Sequence, residues 1–191
     1  MTLIAYNDDE AAAFEATRHI AHEGLIAWKA AVARHLKPGN GTRLLDLGSG
    51  TGRWARAFSD WYGIEVVAVE PSQAMRARSS HPHVLPGDAS AIPLADASVD
   101  AAWLSTVIHH VPDLRAAAQE LRRVVRPAGP VLIRSAFAGW HEAITLFRFF
   151  PEAIRVLDAY PSVADVEAAF ATYGLMRVAL EQIPQVSFGS L

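Results

Sequence analysis

Along most of the chain, short apolar runs alternate with segments whose apolar side chains recur at helical spacing. The runs Leu44-Leu45-Asp46-Leu47, Val66-Val67-Ala68-Val69, Ala101-Ala102-Trp103-Leu104 and Val131-Leu132-Ile133 show little polar alternation. Strands read this way when helices cover both faces of their sheet, as in parallel sheets. A shorter strand is expected at residues 83–85. Between these runs, Trp54, Phe58 and Trp61 stand at i, i+4 and i+7, one apolar face of a helix. Leu114, Ala117, Ala118, Leu121, Val124 and Val125 form a second stripe behind Asp113, a candidate N-cap. Residues 11–36 also read as a helix, with Phe14, Ile20, Trp28 and Val32 among polar residues, stopped by Lys37-Pro38-Gly39-Asn40-Gly41. Strand and helix in alternation predict an α/β fold, a doubly wound and mostly parallel sheet.

The C-terminal part continues the pattern. Ser162-Val163-Ala164-Asp165 fits a capping box, Val166, Phe170 and Tyr173 continue its helical face, and Gly174 ends it. Residues 175–181 then alternate Met176, Val178 and Leu180 with Arg177, Ala179 and Glu181, which predicts a sixth, partly exposed strand.

Composition sets limits on function. With 191 residues, 51% of them apolar, the chain has enough material for the core of one globular domain. A net charge of −3 and the lack of any Lys/Arg-rich tract argue against nucleic acid as a partner. There is no cysteine, which excludes a disulfide framework, a thiol nucleophile and a Cys-rich zinc site. No apolar run reaches membrane-spanning length and the first residues lack a basic, then apolar, leader pattern, so cytoplasm is the expected compartment. The histidines show no ligand-like pairing; His19 and His22 lie at i, i+3 without a carboxylate or thiol partner, so no metal site is expected.

The most specific chemistry lies in Asp46-Leu47-Gly48-Ser49-Gly50-Thr51-Gly52-Arg53, which joins the first strand to the Trp54 helix. Glycines at 48, 50 and 52 let a ligand lie against main chain and permit the positive φ of a tight strand-to-helix turn. A dinucleotide fingerprint would need its third glycine one residue later, which disfavours a nicotinamide oxidoreductase. A phosphate loop would need Gly-Lys-Ser/Thr, which is absent.

The Asp46-x-Gly48-x-Gly50-x-Gly52 pattern resembles the first motif of the class I S-adenosylmethionine-dependent methyltransferases, and later segments match that family in order. Glu70 closes the second strand, Pro86-Gly87-Asp88-Ala89 resembles the family's Gly-Asp-Ala, Ala91-Ile92-Pro93-Leu94 leads to the fourth strand, and Arg126-Pro127-Ala128-Gly129-Pro130 precedes the fifth. The resemblance is strong over residues 42–135 and looser outside them. It implies S-adenosylmethionine as cofactor, bound by Asp46, Gly48, Ser49, Gly50, Gly52, Glu70, Pro71, Met75, Asp88, Ala89 and Ser105. Glu70 would accept the ribose hydroxyls, Asp88 the adenine amino group, and Met75 would flank the adenine.

The resemblance further implies that residues 1–41 form a helical cap over a cofactor-binding domain of residues 42–191. Tyr6, Phe14 and Trp28 from the cap, with Trp140 and Phe147 from the aromatic stretch after the fifth strand, would line a pocket for a small organic acceptor methylated at O, N or C. His109 and His110, after the fourth strand, are the candidate general bases, because imidazole can take a proton near neutrality. A related reading is a protein that binds the cofactor without turnover.

Two departures from the family carry expectations. The turn before the fifth strand has Ala128 where positive φ is usual, so a different turn is expected, with Ala128 at negative φ and any unusual conformation at Gly129. A seventh strand, which in the family lies between the fifth and sixth, has no matching segment. The fifth strand would then have an open apolar edge. The expectation is that the natural chain continues past Leu191, with a displaced sixth strand or an edge-covering homodimer as alternatives.

Overall fold

The computed structural model describes residues 22–184, and Tyr6, Phe14, Ile20 and His19 lie outside this range. In chain order the elements are α1 (His22–Leu36), β1 (Arg43–Leu47), α2 (Arg53–Tyr62), β2 (Glu65–Val69), α3 (Gln73–Ala77), β3 (Val84–Leu85), β4 (Ala101–Ser105), α4 (Leu114–Val124), β5 (Val131–Arg134), α5 (Leu146–Phe149), α6 (Ile154–Asp158) and α7 (Val163–Ala171). Short 3₁₀ turns occupy Ile108–His110, His141–Ala143 and Pro151–Ala153.

Five strands form one sheet in the order β3-β2-β1-β4-β5, and every pair is parallel. The order reverses between β1 and β4, and in such sheets the crevice beyond the carboxyl ends of the strands receives the ligand. Register aligns Asp46 with Ala68 and Trp103, and Ser105 with Arg134. The strand ends that bear Asp46, Glu70, Ser105 and Arg134 therefore share one rim.

Both faces of the sheet are covered, which explains the uninterrupted apolar strands. On one face Leu45, Leu47, Leu104, Ala118, Leu121 and Phe170 pack with α4 and α7. On the other, Leu44, Val66, Trp103, Trp54, Phe58 and Val32 pack with α1 and α2. Helix ends follow their local chemistry. The Asp113 carboxylate accepts the N–H groups of Arg115 and Ala116 at 2.9 and 3.0 Å, and Ser162 and Asp165 complete a capping box.

Two expectations fail. Residues 175–181 form no strand. A strand needs a ladder of partner N–H and C=O groups, and among the described residues β5 pairs only with β4. The segment is anchored by charge instead: Glu181 meets Arg34 and His35 at the C-terminal end of α1, and Arg177 meets Glu167 at 2.8 Å. Met176 and Val178 stay in solvent, at 70% and 92% exposure.

The second failure is at the turn before β5. Ala128 has φ +65°, and Gly129 is not among the residues with positive φ. Gly129 N–H donates to the Arg126 carbonyl at 2.9 Å, so Pro127 and Ala128 occupy the two central positions of a type II turn. The glycine is used for space. A Cβ on Gly129 would come within 2.3 Å of the Asp100 carbonyl oxygen and 2.6 Å of Val125 Cγ1.

Candidate functional site

The loop after β1 is built from main chain. Gly48, Gly50 and Gly52 have φ of 70°, 57° and 76°. The N–H groups of Gly48 and Ser49 donate to the Val69 carbonyl, fastening the loop to the tip of β2. Each glycine has its own reason. A Cβ at Gly48 would strike Val107, and one at Gly52 would come within 2.3 Å of Ser79 Oγ, whereas a Cβ at Gly50 would point into open space. Open space over a bare, left-handed main chain is where a ligand can approach.

Two acidic groups, Asp46 and Glu70, adjoin that loop. Asp46 is buried, and its Oδ2 has no hydrogen-bond partner among the described residues; the same holds for Ser49 Oγ. Burial pushes the Asp46 carboxyl up to about 7, opposed by the Ala55 backbone N–H and reinforced by the neighbouring Glu70 charge. A buried carboxylate oxygen left without a donor is costly unless a ligand supplies one. Glu70 accepts the N–H groups of Gly50 at 2.9 Å and Ser72 at 2.8 Å. Burial raises its pKa, against the pull of those two N–H groups and of Arg76. Asp88 Oδ1 accepts from the Ser90 hydroxyl and from the N–H groups of Ser90 and Ala91, and these bonds lower its pKa.

The remaining cofactor candidates differ in accessibility. Met75 is fully buried, so any contact it makes with a ligand is through the edge of the core. Pro71 is exposed and its carbonyl accepts from Arg76. Ala89 packs on the α4 side of the sheet. Ser105, at the end of β4, accepts from Arg134 Nη1 at 3.1 Å.

A family model described as a methyltransferase domain matches residues 45–133. The chain is 38% identical over 109 residues to a malonyl-[acyl-carrier protein] O-methyltransferase of Erwinia pyrifoliae, covering 55% of this chain and 41% of that protein. It is 30% identical over 163 residues to a demethylmenaquinone methyltransferase of Paenarthrobacter aurescens, covering 82% and 62%. Among solved structures, a protein described as a methyltransferase from an antibiotic biosynthesis pathway of Anabaena variabilis aligns with a TM-score of 0.69 at 27% identity, over 78% of this chain and 60% of that one. Phosphoethanolamine N-methyltransferase 2 of Haemonchus contortus, in complex with S-adenosyl-L-methionine, shares the fold with a TM-score of 0.69 at 22% identity, over 90% and 42%. Together these matches support a class I S-adenosylmethionine-dependent methyltransferase, with residues 45–133 as its methyltransferase domain. The chain spans less than two thirds of the length of either curated relative.

The residues expected around an acceptor come from segments distant in sequence. His109 lies in the 3₁₀ turn after β4, its ring parallel to that of Tyr160 at 4.0 Å and tilted against His110 at the same distance. Tyr160 closes the stretch 137–160, so this stack ties that stretch to the tip of β4. Trp140 meets Phe137 edge to face, and Phe147 lines a cavity of about 430 Å³ with His141, Glu142 and Arg148. Trp28 from α1 sits edge-on against Trp54 and Trp103, each 6.2 Å away, and is thus part of the aromatic cluster beside α2.

Sequence reasoning missed Arg134 and Thr106. Thr106 comes directly after Ser105 with φ +60°, a rare state for a β-branched residue that costs roughly 1–3 kcal/mol. No local signal marks it, because its hydrogen-bond partner Arg134 lies far along the chain, on β5.

Proposed function

We propose that this domain transfers a methyl group from S-adenosylmethionine to a small organic acceptor. The reading rests above all on one observation: three left-handed glycines stand beside a buried carboxylate oxygen, Asp46 Oδ2, that has no donor among the described residues. Cationic and hydroxyl-bearing ligands supply such donors, and S-adenosylmethionine has both. Bound there, the cofactor supplies a methyl group already activated as a sulfonium, for in-line displacement by an acceptor lone pair.

The chain's own residues would hold and orient. Gly48, Gly50 and Gly52 allow close approach, Glu70 accepts the ribose hydroxyls with its remaining lone pairs, and Asp88 accepts the adenine amino group through Oδ2. Asp46 and Ser49 face the methionine portion, with Ser105 beyond. Orientation alone can remove up to about 7–11 kcal/mol from a bimolecular barrier. For a hydroxyl or carbon acid acceptor, His109 takes the proton, its ring plane set by Tyr160.

The acceptor would enter between the cap, residues 1–41, and the stretch 137–160, where Phe147 lines an open surface depression. Relatives named for malonyl-[acyl-carrier protein] and for demethylmenaquinone put malonyl groups and quinones first among acceptors to try. The experiment is calorimetric titration with S-adenosylmethionine and with NADH, followed by an acceptor screen with labelled cofactor. Binding of NADH in preference would reverse the assignment. Cofactor binding without transfer to any acceptor would favour a protein that binds without turnover.

A further inference from the structure

Arg134 ends β5 and belongs to none of the family motifs. Its Nη1 donates to Thr106 Oγ1 at 2.8 Å and to Ser105 Oγ at 3.1 Å, and its carbonyl accepts the Thr106 N–H at 2.7 Å. Its guanidinium carbon lies 5.0 Å from the centre of the Trp28 ring and 5.5 Å from that of Trp54, within cation–π range. One side chain thus joins β5, the tip of β4, α1 and α2.

Arg134 grips the left-handed Thr106, and the next residue in the chain is Val107. The ideal Cβ position on Gly48 is only 2.5 Å from Val107 Cγ2 and 2.9 Å from Cγ1. Val107 therefore lies flush on the bare main chain of the first loop glycine. The direction the chain takes at Thr106 decides whether Val107 can lie there.

We propose that Arg134 is a positioning residue for the cofactor loop: by holding Thr106 left-handed it seats Val107 on Gly48 and keeps the loop in its binding shape. This builds on the reading of residues 46–52 as the S-adenosylmethionine site. A strained residue persists only where its surroundings over-determine it. The main-chain bond from Thr106 to Arg134 survives any substitution at 134, but the side-chain grip does not. Without the grip, Thr106 relaxes to negative φ, Val107 leaves Gly48, and only a fraction of molecules present a competent loop. Apparent affinity falls by that fraction.

The test is titration of S-adenosylmethionine into the full chain as wild type, Arg134→Gln, and Arg134→Gln combined with Thr106→Gly, with thermal melts of each. Arg134→Gln is expected to weaken binding about tenfold, a competent fraction of roughly one tenth. Adding Thr106→Gly should return affinity to within about threefold of wild type, because glycine holds positive φ without the grip. A role in stability alone would lower the melting temperature, leave the affinity of the folded protein unchanged and give glycine nothing to rescue. Should Arg134→Gln fail to fold, Arg134→Met keeps a long side chain against the tryptophans with no donor for either hydroxyl, and carries the same expectations. Unchanged affinity in a folded variant, or no rescue by glycine, overturns the proposal. A wild-type chain that does not bind the cofactor refutes the reading of the loop itself, and the proposal with it.

Discussion

The Gly50 N–H donates to the Glu70 carboxylate at 2.9 Å, joining the middle glycine of the loop after β1 to the end of β2. The acid proposed for the ribose hydroxyls is thereby also a structural anchor of the loop. Glu70 uses Oε2 for Gly50 and Oε1 for Ser72, and each oxygen keeps a further lone pair for a ligand hydroxyl.

Glu70→Ala should weaken S-adenosylmethionine binding about tenfold or more, since hydrogen bonds to a charged group contribute roughly 1.5–3 kcal/mol and about 1.4 kcal/mol is a factor of ten. Calorimetric titration reads this directly. Unchanged affinity would remove Glu70 from the cofactor site and leave it an anchor only.

The buried Asp46 carboxyl gives a pH dependence with a definite sign. Its pKa is raised in the folded protein from 3.8 to about 7, so between these values the native state holds a proton that the unfolded chain has released. Stability from this group is complete below 3.8 and is lost as pH rises through about 7. Urea midpoints of wild type should therefore fall, relative to Asp46→Asn, across that interval. Binding of a cationic cofactor runs the other way, because it selects the ionised carboxylate, so wild-type affinity should rise with pH over the same window. A flat difference in urea midpoints would mean that the carboxylate is already ionised when folded.

Much of this arrangement is legible in the sequence because the forces that set it are local. Buried parallel strands need continuous apolar runs, and Val66–Val69 and Ala101–Leu104 are such runs. Asp113 and Ser162 cap helices with their own side chains. The glycine spacing by itself disfavours a dinucleotide loop. The features that escape depend on partners far away in the chain. Arg134 closes an apolar run and gains its meaning only from Thr106, Trp28 and Trp54. Residues 175–181 alternate as a strand would, but alternation cannot supply the neighbouring ladder that makes one.

His109 is testable apart from the cofactor loop. A positioned general base contributes typically about 10²–10⁴-fold, so His109→Ala should lower single-turnover methyl transfer to a hydroxyl or carbon acid acceptor by that range. Cofactor affinity should stay within about twofold, because Glu70 and the loop carry it. Tyr160→Ala removes the parallel ring 4.0 Å away and should cost a smaller factor by letting the imidazole turn. Equal transfer rates in wild type and His109→Ala would leave orientation as the whole of the chemistry.

The turn before β5 offers a stability test that needs no ligand. Ala128 is held at φ +65°, where an L-residue with a Cβ is disfavoured by roughly 1–2 kcal/mol relative to its ordinary state. Glycine removes that cost but gives back about 0.5–1 kcal/mol in unfolded-chain entropy. Ala128→Gly should therefore stabilise the domain by up to about 1 kcal/mol, a rise in melting temperature of roughly 2–4 °C for a domain of this size. Gly129→Ala should do the reverse and more strongly, because its Cβ would be forced against the Asp100 carbonyl oxygen at 2.3 Å and Val125 Cγ1 at 2.6 Å, both in the packed end of β4 and α4. Overpacking of this kind costs typically about 1–3 kcal/mol. Chemical denaturation of the two variants decides between strain at Ala128 and space at Gly129. A destabilised Ala128→Gly would mean that residue 128 gains nothing from glycine's freedom at positive φ, and would restore the turn expected from the sequence, with Ala128 at negative φ.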